Sequence, residues 1–163
     1  MGYTFFRALK PEWELAACWQ SILKSRRIME PSQEEIAEML KIGKDGFPGV
    51  DISAIAREMG VVSIEHIKAV PIKTDEGMYA SLEDNVDLIV AYDGEKMTGR
   101  QREPVASFGL WIGYNSSEAT IQSPNCREPF DIGLMPKGSK SGLIDCMQAK
   151  DDSRYGVYIV NSK

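Results

Sequence analysis

Four side chains in this sequence can act as nucleophile or proton carrier near neutral pH: the thiols of Cys18, Cys126 and Cys146, and the imidazole of His66, the only histidine. A free thiol is only slightly ionised at pH 7, so a cysteine that attacks a carbonyl needs a helix N-terminus, a cation or an adjacent base to favour its thiolate. Cys18 has the best context of the three, since it falls near the N-terminal end of a predicted helix. The same residue lies on an apolar face between Leu15 and Ile22, where a free cysteine also reads as a core residue. Glu12 and Glu14 carry carboxylates of the general acid or base type. Beside Pro11 at a helix start, both read as surface charges that stabilise the helix dipole.

Three cysteines without a C-x-x-C pair and one histidine cannot supply four zinc ligands at the usual spacing, so no metal and no cofactor are expected. Cys126 and Cys146 are expected as reduced thiols, with a disulfide between them as the alternative. A net charge of −5 argues against nucleic-acid or anionic-membrane partners, which need a surplus of Lys and Arg. The N-terminal residues lack an apolar run of signal-peptide length, and nothing approaches a membrane span of about 20 apolar residues. The chain therefore reads as cytoplasmic, or as an effector secreted without a leader of the usual type. With 163 residues, 43% of them apolar, it is long enough for one domain with a real core.

The elements that must position these side chains follow from periodicity. Over 13–27, Leu15, Cys18, Trp19, Ile22 and Leu23 recur at helical spacing and lead into a basic last turn. A second helix starts at Ser32, where Ser-Gln-Glu-Glu has the pattern of a capping box, and carries Ile36, Met39 and Leu40 inward. Asp51 can cap a third helix over 52–59, closed by Gly60. From Val61 the period changes to that of strands: VVSIEHIKAVPI, DLIVAYD, VASFGLWIGYN, EATIQSP and GVYIVN, with one more short helix predicted over 77–84. The polar stretch 94–104 reads as a mobile surface loop. Helices followed by antiparallel strands make an α+β fold, with a helical half over about 10–60 and a sheet half over about 61–163.

Three pieces in this order resemble a known family. Ala-Ala-Cys-Trp at 16–19 resembles the Cys-Trp pair of papain-like cysteine peptidases. SQEEIAEML at 32–40 with GVDISAIAREMG at 49–60 resembles the helical half of bacterial double-glycine leader peptidases and papain-fold effector proteases. SFGLWIGYN at 107–115 with ATIQSPN at 119–125 is similar to the family's strand pair, in which a histidine precedes Gly-Tyr and the next strand ends in Asp-Pro. The resemblance implies a papain-like fold, a nucleophile at Cys18 beside Trp19, and a cleft bordered by Trp19, Trp111 and Tyr114.

It also implies departures. Glu12 stands where the family has the Gln that helps hold the oxyanion, and its carboxylate would repel that charge. Ser107 stands in the histidine position. Ser123 stands in the orienting Asp position, with Asn125 as a substitute just beyond. His66, on an earlier strand, is a place the family does not use. The reading preferred from these residues is a domain that has lost proteolysis and binds a peptide or protein in the former substrate cleft. Without a base, acyl transfer forgoes the roughly 10²–10⁴-fold that general base catalysis contributes. The alternative is an active peptidase, deamidase or acyltransferase using Cys18 with unusual partners. A third reading is an effector or immunity-like protein that works through its surface, for which Cys18 would be buried and unreactive.

Overall fold

The computed structural model describes residues 3–68, 86–114, 118–149 and 152–162. A one-turn 3-10 helix, Pro11–Trp13, leads into α1, Glu14–Ser25, whose buried face carries Leu15, Cys18, Trp19, Ile22 and Leu23. α2, Gln33–Leu40, begins with the full capping box: the Ser32 hydroxyl accepts from the Glu35 N–H and the Glu35 carboxylate accepts from the Ser32 N–H. Such a cap contributes about 1 kcal/mol. Lys41 turns left-handed at φ 49° and ends the helix. The third helix is shorter than its pattern predicts. Only Ile52–Ile55 form a 3-10 turn, started by the Asp51 carboxylate on the Ser53 N–H, before the chain turns out at Gly60 with φ 76°.

Six strands then form one antiparallel sheet in the order β1-β6-β2-β3-β4-β5. They are β1 Ser63–Lys68, β2 Val86–Asp93, β3 Ala106–Tyr114, β4 Glu118–Gln122, β5 Phe130–Gly133 and β6 Gly156–Asn161. β2 is buried along nearly its whole length, as its continuous apolar run requires of a central strand. The last strand, β6, inserts between β1 and β2, with His66 opposite Tyr158 and Ile89 opposite Tyr158 on the other side. α1 packs on β2 and β3. Trp19, Phe108, Trp111, Leu15 and Ile22 are among the largest fully buried side chains of the core.

Three elements depart from expectation. The start of the 94–104 stretch is a helix, α3, Gly94–Thr98, because the Asp93 carboxylate caps it by accepting from the Lys96 N–H at 2.9 Å. β5 and a short helix α4, Leu143–Met147, lie in a region with no strong periodicity. The helix predicted over 77–84 lies outside the described residues. Among the described residues, no helix is long and apolar enough to cross a membrane.

Candidate functional site

The residue at the start of α1 is Glu14, and it is 1% exposed. Its carboxylate collects three donors from distant parts of the chain. The Phe108 N–H of β3 donates to Oε1 at 3.3 Å, and Asn125 Nδ2 donates to Oε2 at 3.0 Å. Arg102 Nη2 donates to Oε2 at 2.5 Å, from a side chain that is only a quarter exposed. The backbone explains why these groups converge. The N-terminal segment runs alongside the turn after β4, with the Ala8 N–H on the Pro124 carbonyl, and the 3-10 turn then delivers Glu14 to the β3 end. A carboxylate suits this place electrostatically, since α1 has no side-chain N-cap and its first turn presents partial positive charge. Burial nevertheless raises the Glu14 pKa, and Arg102, the Phe108 N–H and Asn125 offset only part of that shift.

Cys18 stands one turn further into α1, 1% exposed and inside the hydrophobic core. Burial pushes its thiol well above the ordinary range, and the Glu14 carboxylate one turn away pushes it the same way. The geometry thus opposes a thiolate at Cys18 on both counts. Ser107 adjoins the site on β3, fully buried, and its Oγ has no hydrogen-bond partner among the described residues. Gly94 borders the same space. A Cβ there would overlap Ser107 Oγ and stand 2.7 Å from Arg102 Cδ. Gly94→Ala is therefore expected to cost about 1–3 kcal/mol, read as a lower urea midpoint, by displacing Ser107 and Arg102. An unchanged midpoint would mean that this corner is not packed against the strand.

The remaining predicted positions separate. Asn125 reaches the site through Glu14, and Ser123 lies beside it, 6% exposed, accepting from the Asn125 N–H at 3.2 Å. Glu12 sits half-buried in the 3-10 turn, outside the hydrogen bonds made to Glu14. Trp19 is fully buried. Trp111 is 2% exposed and donates its indole N–H to the Gly113 carbonyl. Tyr114 closes β3, in register with Ala119. His66 is on β1, three strand positions from β3 and so roughly 14 Å across the sheet from the Ser107 strand. It stacks on Tyr158 with centroids 4.5 Å apart. Cys126 is an exposed free thiol, whereas Cys146 is buried, its pKa pushed up to about 12 by burial and by Asp145. Among the described residues, no group of three or more His, Cys, Asp or Glu is placed to hold a metal ion.

Glu14, expected as a surface charge at the helix start, is instead buried at 1% exposure. A signal was present: positions 14, 18 and 22 share one helix face, so a glutamate in line with Cys18 and Ile22 is directed toward the core and needs buried partners.

No protein-family model and no curated protein matches the sequence. Solved structures do match its fold. The peptidase domain of Streptococcus ComA, a bi-functional ABC transporter involved in a quorum-sensing pathway, aligns over 99% of this chain and 100% of its own, with TM-score 0.59 and 14% identity. A double-glycine-motif protease from an AMS/PCAT transporter, solved in complex with its leader peptide, aligns over 99% of this chain and 93% of its own, with TM-score 0.60 and 14% identity. The chain has the α+β, papain-like fold of these peptidase domains.

Proposed function

We propose that this chain is a papain-fold domain that does not hydrolyse peptides through a thiol and instead binds a peptide or protein segment at the place of the former substrate cleft. One observation carries the reading: the helix start, where a papain-type site needs its nucleophile, is held by the buried carboxylate of Glu14. That carboxylate already takes the Phe108 N–H, and its negative charge opposes the oxyanion that acyl transfer must develop. The thiol one turn deeper is shielded and resists ionisation. The side chain in the histidine position, Ser107, cannot serve as a base near neutrality. The Cys18 enzyme finds no comparable support. A peptide is the favoured occupant because a domain of the same fold was solved with a leader peptide bound.

The test uses a fluorescently labelled double-glycine leader peptide as probe. A saturable rise in anisotropy is expected, with the peptide recovered intact by mass spectrometry and the same curve in Cys18→Ala. Cleavage products that disappear in Cys18→Ala would overturn the proposal, and a flat titration would remove its binding half.

A further inference from the structure

Residues 3–9 belong to no helix or strand, yet their backbone is gripped along both edges. On one edge every second amide is taken: the Thr4 N–H donates to Ser25 Oγ at 2.8 Å, the Phe6 N–H to Ser21 Oγ at 3.0 Å and the Ala8 N–H to the Pro124 carbonyl at 3.3 Å. On the other edge the Gln33 amide clamps two residues at once, accepting from the Leu9 N–H at 2.7 Å and donating to the Arg7 carbonyl at 2.8 Å. This period of two is that of an extended chain. Ser21 and Gln33 are each 2% exposed, so buried polar side chains are committed to holding a stretch of backbone. Glu14, Ser21 and Ser25, spaced by seven and four, fall on one side of α1. The stretch therefore lies along the side of α1 that carries Glu14, and at Ala8 it reaches the turn that carries Asn125.

Two features make this stretch removable. It buries little: Tyr3 packs against the hydrophobic core, while Phe5 and Leu9 are 40% and 72% exposed. Segments with few apolar contacts open at a free energy well below that of global unfolding. The groups that hold it also keep partners of their own. Ser21 Oγ donates to the Ala17 carbonyl at 2.9 Å, Gln33 Nε2 donates to Gln20 Oε1 at 3.1 Å, and Asp87, the acceptor for the Tyr3 hydroxyl, keeps Arg26. Lifting the stretch leaves none of these three side chains bare, and it opens Ser25 Oγ, Ser21 Oγ, Gln33 Oε1 and the Pro124 carbonyl as acceptors for backbone N–H groups.

We propose, on the reading that a peptide binds at the former substrate cleft, that residues 3–9 are an intramolecular strap lying in a track for extended peptide. The partner peptide displaces the strap and takes over its backbone hydrogen bonds. An extended peptide presents its N–H groups at the two-residue spacing these acceptors need, and recognition through the backbone tolerates many sequences. The strap sets the apparent affinity, because a partner meets a free track only in the fraction of molecules whose strap is open.

The test titrates the isotope-labelled full chain with the double-glycine leader peptide, following anisotropy for affinity and the Thr4, Phe6, Ala8 and Leu9 amides for the strap. Those four amides are expected to shift and to lose protection from hydrogen exchange as the peptide saturates. Tyr3→Phe, which removes the Asp87 anchor and nothing from the track, should tighten binding about tenfold. Ala8→Pro removes only the N–H on the Pro124 carbonyl and should tighten binding about threefold, which keeps the test decisive if Tyr3→Phe does not fold. Equal affinity in wild type and these variants, with the four amides unmoved, would overturn the strap and leave the peptide reading standing. A flat titration in all three proteins would overturn both.

Discussion

Asp87→Ala is expected to lower the free energy of unfolding by about 3–5 kcal/mol, measured by urea denaturation at neutral pH. Asp87 sits at the start of the central strand β2 with its side chain fully buried, and it accepts from Arg26 Nε and Nη2, both at 3.0 Å. The Tyr3 hydroxyl donates to the same carboxylate. Removing the carboxylate strands a guanidinium that is only 11% exposed, and one partner lost from a buried pair costs far more than the pair itself contributes. The consequence extends to the start of α1. Tyr3 anchors the segment that runs back along α1, with the Thr4 N–H on Ser25 Oγ and the Phe6 N–H on Ser21 Oγ, and this segment delivers the turn before Glu14. A loss below about 1 kcal/mol would show that Arg26 simply turns into solvent.

Glu14→Ala is expected to cost about 2–4 kcal/mol, since it leaves the buried Phe108 N–H without an acceptor and releases Arg102 and Asn125. The lower end allows for Arg102, which is a quarter exposed and can regain water. Stability loss alone would not distinguish this carboxylate from any other buried group, so pH supplies the sharper reading. Burial holds the Glu14 pKa above its ordinary 4.5. A carboxyl raised in the folded state contributes its full stability below the unfolded value and loses it as pH climbs through the folded value. Wild type should therefore gain stability relative to Glu14→Gln as pH falls from 7.5 towards 4.5. A relative loss over that window would mean that Arg102 outweighs burial and that the site holds a salt bridge of the usual stabilising kind.

Much of the frame was readable because it depends on neighbours in sequence. The spacing of Leu15, Cys18, Trp19, Ile22 and Leu23 specifies the inward face of α1, and Ser32 with Glu35 specifies the start of α2. The unbroken apolar run of β2 marks a strand covered on both faces. The insertion of β6 between β1 and β2 left no local trace, because strand order depends on pairings across almost the whole chain. α3 was hidden in a polar stretch whose helical turn depends on one cap from Asp93. β5 is four residues long, too short for a period to declare itself.

The candidate site divides along the same line. Ser107 and Asn125 enter through the resemblance of 107–115 and 119–125 to the family's strand pair, and the structure places Ser107 beside Glu14's partners and Asn125 on Glu14 itself. Glu14 reads locally as a solvated charge because the groups that bury it stand 94 and 111 residues away. Its place one helical turn before Cys18, on the same face, was the available warning.

The most direct test of a papain fold without a working thiol is the alkylation of the native chain by iodoacetamide across pH 5 to 9, with each cysteine resolved by mass spectrometry. Cys126, the exposed thiol, should react at an ordinary rate, while Cys18 and Cys146 stay unmodified until the chain unfolds. A Cys18 that reacts faster than Cys126, with an apparent pKa below about 8.5, would contradict the account and return the nucleophile to α1.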